Sequence, residues 1–217
     1  MGRVFGGLIA IVGWLSLILQ LILQMTNPVT PEPGVAERFV RFFSYFTVAT
    51  NIIVAITATA IAFFPLTRFG AFFSRPTVQA AVASYISIVG IVYSAFLRSV
   101  WDPQGWQAAA DHLLHDAMPI LFVAYWLLFA PKSGIALPDP IKWLVYPIVY
   151  VAYSLIRGAF VAWYPYWFVD VTELGYPIAL RNTAFVVVAF VLIGMIFVAI
   201  AKLMTRSVNT AAVDIEY

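Results

Sequence analysis

The sequence predicts an all-α integral membrane bundle of six transmembrane helices, and three observations carry that prediction. Apolar residues make up 63% of the chain and charged residues only 10%, against about 25% charged in an ordinary soluble domain. A soluble fold needs a polar coat that this composition cannot supply. The apolar residues gather into six runs, each close to the roughly 20 residues a helix needs to cross a bilayer. The runs are too long and unbroken for barrel strands, the other structure that satisfies backbone polar groups in lipid.

The first run, Val4–Met25, follows Arg3 and exceeds the about 7–15 apolar residues of a secretory signal, so it reads as an uncleaved span. Its Gly6, Gly7 and Gly13 suit close helix contact, and Gln20 and Gln24 suit a hydrogen bond to a neighbour. The later spans are Val40–Phe64, Thr77–Leu97, His112–Ala130, Lys142–Val161 and Pro177–Met204. Turn residues separate them at Asn27-Pro28, Pro31-Glu32-Pro33-Gly34, Asp102-Pro103-Gln104-Gly105 and Pro138-Asp139-Pro140. These connectors are too short for a soluble domain, so residues 1–217 read as one transmembrane domain. From Ser207 the tail turns polar and is expected to fray.

Six alternating spans divide the basic residues seven to five. Arg3, Arg68, Arg75, Lys132, Lys142, Lys202 and Arg206 share one side; Arg38, Arg41, Arg98, Arg157 and Arg181 share the other. The excess places both termini in the cytoplasm of a multi-pass cell-membrane protein, the inner membrane in a bacterium. There is no cysteine, which excludes disulfides, thiolate nucleophiles and Cys metal sites. No basic block points to nucleic acid. Membrane lipids are the expected surroundings, and no cofactor is expected.

Both histidines fall in one short run, Asp111-His112-Leu113-Leu114-His115-Asp116, at the head of an apolar segment. An ionisable group at membrane depth costs several kcal/mol unless it is paired or hydrated. On the same outer half the topology places Thr47, Thr50 and Asn51, about 9–15 Å down the second helix at 1.5 Å per residue. It adds Tyr93, Ser94 and Arg98 from the third, and Tyr150, Tyr153 and Arg157 from the fifth. Polar residues from four helices predict a cavity inside the bundle. Without cysteine, a nucleophile there is Ser or Thr activated by a histidine, with a third group orienting the imidazole. Thr50 or Thr47, His115, and Asp111 or Asp116 fit those roles. Asn51, Arg98, Arg157 and His112 are the candidates for holding a substrate or stabilising an oxyanion. Plainer roles stand beside these. Thr can bond its own helix, Asp111 can cap a helix, and the arginines can snorkel. Tyr164-Pro165-Tyr166-Trp167-Phe168 reads as an interfacial aromatic belt.

Three motifs resemble the androgen-induced-gene family of membrane proteins. They are Phe46-Thr47-Val48-Ala49-Thr50-Asn51, Asp111-His112-Leu113-Leu114-His115-Asp116-Ala117-Met118-Pro119, and the stretch from Gly158 to Phe168. They occur in the family's order and span most of the bundle; the chain looks like a bacterial six-helix relative. The resemblance implies a threonine hydrolase of fatty acid esters of hydroxy fatty acids. It places the nucleophile best at Thr50, within Thr50-Asn51-Ile52, and its partner at His115. Asn51 departs from the acid expected in animal members, which keeps Thr47 open as the nucleophile.

The leading expectation is thus a membrane-embedded hydrolase of lipid-like esters, with substrate arriving laterally from the outer leaflet. A second is a metal-dependent hydrolase using His112, His115 and Asp116 or Asp111. A third is a non-enzymatic lipid or small-molecule binding protein or transporter. A retinal protein is disfavoured, because Lys142 and Lys202 lie near helix ends.

Overall fold

A backbone crossing lipid must have its polar groups paired, which a helix does along its own length, and the six apolar runs are helical. The computed structural model describes residues 1–26 and 34–213, with side chains up to residue 206. Among the described residues six helices are long and apolar enough to cross a membrane: Gly2–Thr26, Phe46–Phe63, Pro76–Leu97, Gly105–Phe129, Asp139–Val161 and Val171–Arg206. The chain is an all-α six-helix membrane bundle. The turns expected at Asn27-Pro28 and Pro31-Glu32-Pro33 lie outside the described residues.

Helix α1 covers Gly2–Thr26. The second run is two helices, α2 (Val35–Ser44) and α3 (Phe46–Phe63), separated at Tyr45, which is extended with φ −78° and ψ 130°. A short α4 (Arg68–Phe73) leads to α5 (Pro76–Val92), whose last turn widens into a π-helical turn over Tyr93–Leu97. The fourth span starts at Gly105 rather than His112. It runs as α6 (Gly105–His112), a second π-helical turn (Leu113–Ala117) and α7 (Met118–Phe129). The fifth comprises α8 (Asp139–Trp143) and α9 (Val145–Val161). A 3₁₀ turn at Trp167–Val169 precedes α10 (Val171–Val213), which continues past Ser207, where fraying was expected. Gly175 breaks α10 at φ 71°, a backbone state that favours glycine.

Helices α3 and α5 form the centre: 67% and 56% of their spans are buried, against 17% for the span of α9 at the rim. Small residues let the first helices close up. Gly6 of α1 lies against Ala58 and Ala62 of α3, as its place in the sequence suggested. Ile9, Val54, Ile86, Met118, Phe122 and Trp126 fill the interior between α1, α3, α5 and α7.

Polar contacts pin the two ends. At the near end, beside Met1, Arg3 donates to the Ala62 carbonyl and Lys132 to the carbonyls of Trp126 and Ala130. Asp139 there accepts from Thr77, Lys142 and the Ala136 N–H. At the far end α9 is laced to the α2–α3 break. Tyr146, Tyr150 and Tyr153 lie at i, i+4 and i+7 on one face. The Tyr146 hydroxyl meets Thr50 Oγ1 at 2.9 Å, Tyr150 donates to the Ser44 carbonyl at 2.9 Å, and the Tyr153 hydroxyl meets Ser44 Oγ at 2.7 Å.

Glu37 ties α2 to α9 by accepting from Arg41 Nε at 2.9 Å and Arg157 Nη2 at 2.5 Å. Both guanidiniums also lie over the Trp163 ring, at 4.7 and 5.0 Å from its centre. Burial pushes the Glu37 carboxyl up, but the hydrogen bonds and charges of Arg157 and Arg41 outweigh it and hold the group below its ordinary 4.5. A lowered folded pKa stabilises above the unfolded value and is lost as pH falls through the folded one. Glu37→Gln is therefore expected to lower the thermal midpoint by ~2–4 °C at neutral pH, the shift of about 1 kcal/mol. The gap from the native protein should close as pH drops below 4.5. Thermal unfolding across pH checks this.

Candidate active site

The π-helical turn in the fourth span leaves one carbonyl without a donor on its own helix. Its wider register sends the Met118 N–H to the Leu113 carbonyl, so Leu114 loses the donor an α-helix would provide. The next residue is Pro119, which has no N–H to offer. Asn51 supplies the missing donor from α3: its Nδ2 reaches the Leu114 carbonyl at 3.2 Å and the Thr47 carbonyl at 2.9 Å. One carboxamide thus joins the turn that carries Thr47 to the turn that carries His115. Gly90 lets α5 press on the same place, since a Cβ there would stand 3.2 Å from the His115 carbonyl and 3.3 Å from Pro119.

The break at Tyr45 makes Thr47 a first-turn residue of α3, where backbone N–H groups have no intrahelical partner and the helix dipole is positive. Its N–H goes to the Tyr166 hydroxyl at 3.3 Å, and its Oγ1 lies 3.4 Å from the same hydroxyl. Tyr166 is brought there by the return of the chain after α9. Ala162 takes a left-handed conformation, and the Tyr164 ring sits on Gly158, where a Cβ would fall 2.1 Å from it.

Thr47 Oγ1 lies 3.3 Å from His115 Nε2. On the other side of the ring, Nδ1 lies 3.0 Å from the Asp111 carbonyl and 3.2 Å from its Oδ1. Both are acceptors, so Nδ1 carries the proton and Nε2 presents a lone pair to the Thr47 hydroxyl. The buried Asp111 carboxylate also accepts from the Tyr93 hydroxyl. The Tyr93 ring stacks on His115 at 4.0 Å and 15°, and Arg98 lies over the Tyr93 ring at 4.8 Å. Burial pushes the Tyr166 hydroxyl up to about 12, so it is a donor at neutral pH. With His115 in its neutral Nδ1–H form, the contacts allow the donors to line up in one direction: Tyr166 O–H to Thr47, Thr47 O–H to His115, and His115 N–H to Asp111.

The structure sorts the other candidates. Thr50 is fully buried against Tyr146, and His115 faces Thr47 instead. Asp111 is no helix cap, because α6 begins at Gly105. Both hydrogens of Asn51 Nδ2 are committed to carbonyls, which leaves none for an oxyanion. Arg157 is held in the Glu37–Trp163 cluster away from His115. Arg98 pairs with Asp116, which also accepts from His112 Nδ1 at 2.8 Å. These three form an exposed rim. The proposed metal set is divided, with His112 turned to Asp116 and His115 to Asp111. Among the described residues no three acid or histidine side chains converge as ion ligands.

Sequence reasoning placed Tyr93 in the polar zone without a role and read Tyr166 as part of an aromatic belt. The sequence held no signal that separated either from a belt residue, because Tyr and Trp are the residues an interfacial belt favours. Gln20 does bond a neighbouring helix, accepting from Gln107 Nε2 at 2.9 Å. No family model, curated protein or solved structure matches the chain.

Asn51→Leu leaves the buried Leu114 carbonyl without a donor, a loss of about 1–3 kcal/mol. Adding Pro119→Ala restores an N–H within reach of the Leu114 and His115 carbonyls. The double variant should therefore be more stable than Asn51→Leu alone, a positive coupling that a double-mutant cycle on thermal unfolding detects.

Proposed function

We propose that the chain is a membrane-embedded hydrolase of lipid-like esters, with Thr47 as nucleophile, His115 as its base and Asp111 as the group that orients the imidazole. The observation that carries this reading is the run of contacts from Thr47 Oγ1 through His115 to Asp111. It has the roles of a nucleophile–histidine–acid triad, built in a half-buried site. The motif likeness to the androgen-induced-gene family supports the same chemistry, hydrolysis of fatty acyl esters. Of the two threonines that the likeness leaves open, Thr47 is the one whose Oγ1 lies 3.3 Å from His115 Nε2.

The reaction runs in two halves. Thr47 Oγ attacks the acyl carbon while its proton passes to His115 Nε2, forming a C–O bond and a tetrahedral oxyanion. The Tyr166 hydroxyl and the N–H groups of the first turn of α3 are the donors nearest Thr47 for that charge. Collapse breaks the ester bond, and the alcohol leaves with the proton from His115. Water then attacks the acyl-threonine, gives a proton to His115, and releases the acid as Thr47 regains its hydrogen. Asp111 holds the imidazolium throughout, and Tyr93 holds Asp111.

Thr47→Ala and His115→Ala should each lower kcat/KM for long-chain nitrophenyl esters by about 10²–10⁴-fold. Tyr166→Phe should cost about 10²-fold in kcat. Thr50→Ala, which removes only a contact with Tyr146, should stay within about tenfold of the native enzyme. Full activity in Thr47→Ala, or its loss in Thr50→Ala alone, overturns the assignment.

A further inference from the structure

Thr47 stands in a partition between two chambers of opposite character. One, of about 320 Å³, has Gln20, Gln24, Gln107 and Asp111 in its walls. The other, of about 70 Å³, is walled by apolar side chains, among them Ile88, Val89, Leu155, Val187 and Phe190. Thr47, Tyr93, Leu97 and Tyr166 face both. The apolar chamber adjoins a crevice of about 380 Å³ between α5 and α10, with Val92, Phe168 and Val186 in the walls of both. The rim of that crevice, Phe96, Trp167 and Phe185, is more than half exposed on the flank of the bundle, where lipid tails lie.

We infer, on the basis of the hydrolase reading, that the substrate is a long-chain acyl ester of a compact, neutral, hydroxylated alcohol such as glycerol. The acyl chain enters between α5 and α10 and runs past Val92 and Val186, which brings its carboxyl carbon to Thr47. The path is walled mainly by aliphatic and aromatic side chains, with Arg181 and Asn182 also lining the crevice, so a saturated tail exchanges lipid contacts for other apolar ones on its way to the site. The alcohol lies in the other chamber. Carboxamides both donate to and accept from hydroxyl groups. Among the described residues no Lys or Arg lines that chamber, while Asp111 places a carboxylate in it. An anionic alcohol part would therefore be buried without a counter-charge and beside a like charge, which both disfavour it. The class thus differs from esters whose alcohol carries its own carboxylate.

The test uses the full chain in nanodiscs and two readouts. The first is independent of catalysis: a hexadecyl glycerol ether bearing a mid-chain diazirine is photolysed with the Thr47→Ala protein and the adducts are mapped. Label on the segments holding Val92, Phe168 and Val186 is expected, with loss of about tenfold or more in a Val186→Trp background. Val92→Phe serves if that variant does not fold. The second is the ratio of kcat/KM values. Val186→Trp should lower the ratio of palmitoyl to butyryl glycerol hydrolysis by about tenfold or more. Gln24→Leu should lower the preference for glyceryl palmitate over the palmitate ester of a hydroxy fatty acid. Label confined to other lipid-facing helices, or a native enzyme that prefers the carboxylate-bearing ester, overturns the inference. Label in the path with no ester hydrolysed leaves the binding path standing and refutes the hydrolase reading instead.

Discussion

The Leu114 carbonyl is the point on which the site geometry turns. Inside an apolar bundle an unpaired carbonyl costs a substantial fraction of a protein's net stability; the π register takes the Met118 N–H away from this one, and Pro119 has no N–H to replace it. Asn51 does so from α3, and the same amide nitrogen holds the Thr47 carbonyl. The demand of one backbone oxygen therefore fixes the distance between two helices at the level of Thr47 and His115. The π-helical turn that creates the demand also aims His115 toward α3. Tyr93 begins the matching π-helical turn of α5 and closes the imidazole from the side. Departures from α-helical register tend to persist where they serve a site, and these two carry His115, which meets Thr47, and Tyr93, which stacks on His115.

Charge is partitioned at the far end of the bundle. Glu37, Arg41, Arg157 and Trp163 form one cluster, while Arg98, Asp116 and His112 form another. Each pairs its charges internally, as lipid surroundings require, although Arg157 Nη1 is buried with no hydrogen-bond acceptor among the described residues. Neither presents a guanidinium to Thr47. The immediate surroundings of Thr47 and His115 are instead neutral tyrosines, a helix N-terminus and one carboxylate. This suits chemistry in which negative charge develops briefly on an oxygen, because tyrosine hydroxyls and first-turn N–H groups stabilise such a charge without a resident cation.

The sequence carried the six spans, their alternation and the polar end, since these depend on composition and run length alone. Grouping Thr47, Tyr93, Asp111 and His115 in one zone also followed from counting residues along alternating helices. The choice between Thr47 and Thr50 did not follow. It depends on the break at Tyr45, and Ser44-Tyr45-Phe46 contains neither Gly nor Pro to announce one. The break is held by partners far along the chain, Tyr150 and Tyr153 on Ser44 and Tyr166 on Thr47. Asn51 was similarly opaque. A buried carboxamide beside a reactive threonine suggests an oxyanion donor until the Leu114 carbonyl is seen to take its hydrogen. Arg157 lies deep enough to suggest a ligand-binding charge, but Glu37 occupies it from a helix that the sequence had merged with its neighbour.

The most direct test is the position of a covalent adduct. A long-chain fluorophosphonate reacts with a hydroxyl only when a base takes its proton, so peptide mapping by mass spectrometry reports which oxygen His115 activates. The expected result is a phosphonyl group on Thr47 in the native protein, and none in His115→Ala. An adduct on Thr50, or labelling of Thr47 that persists unchanged without His115, would contradict the pairing on which the reading of this site rests.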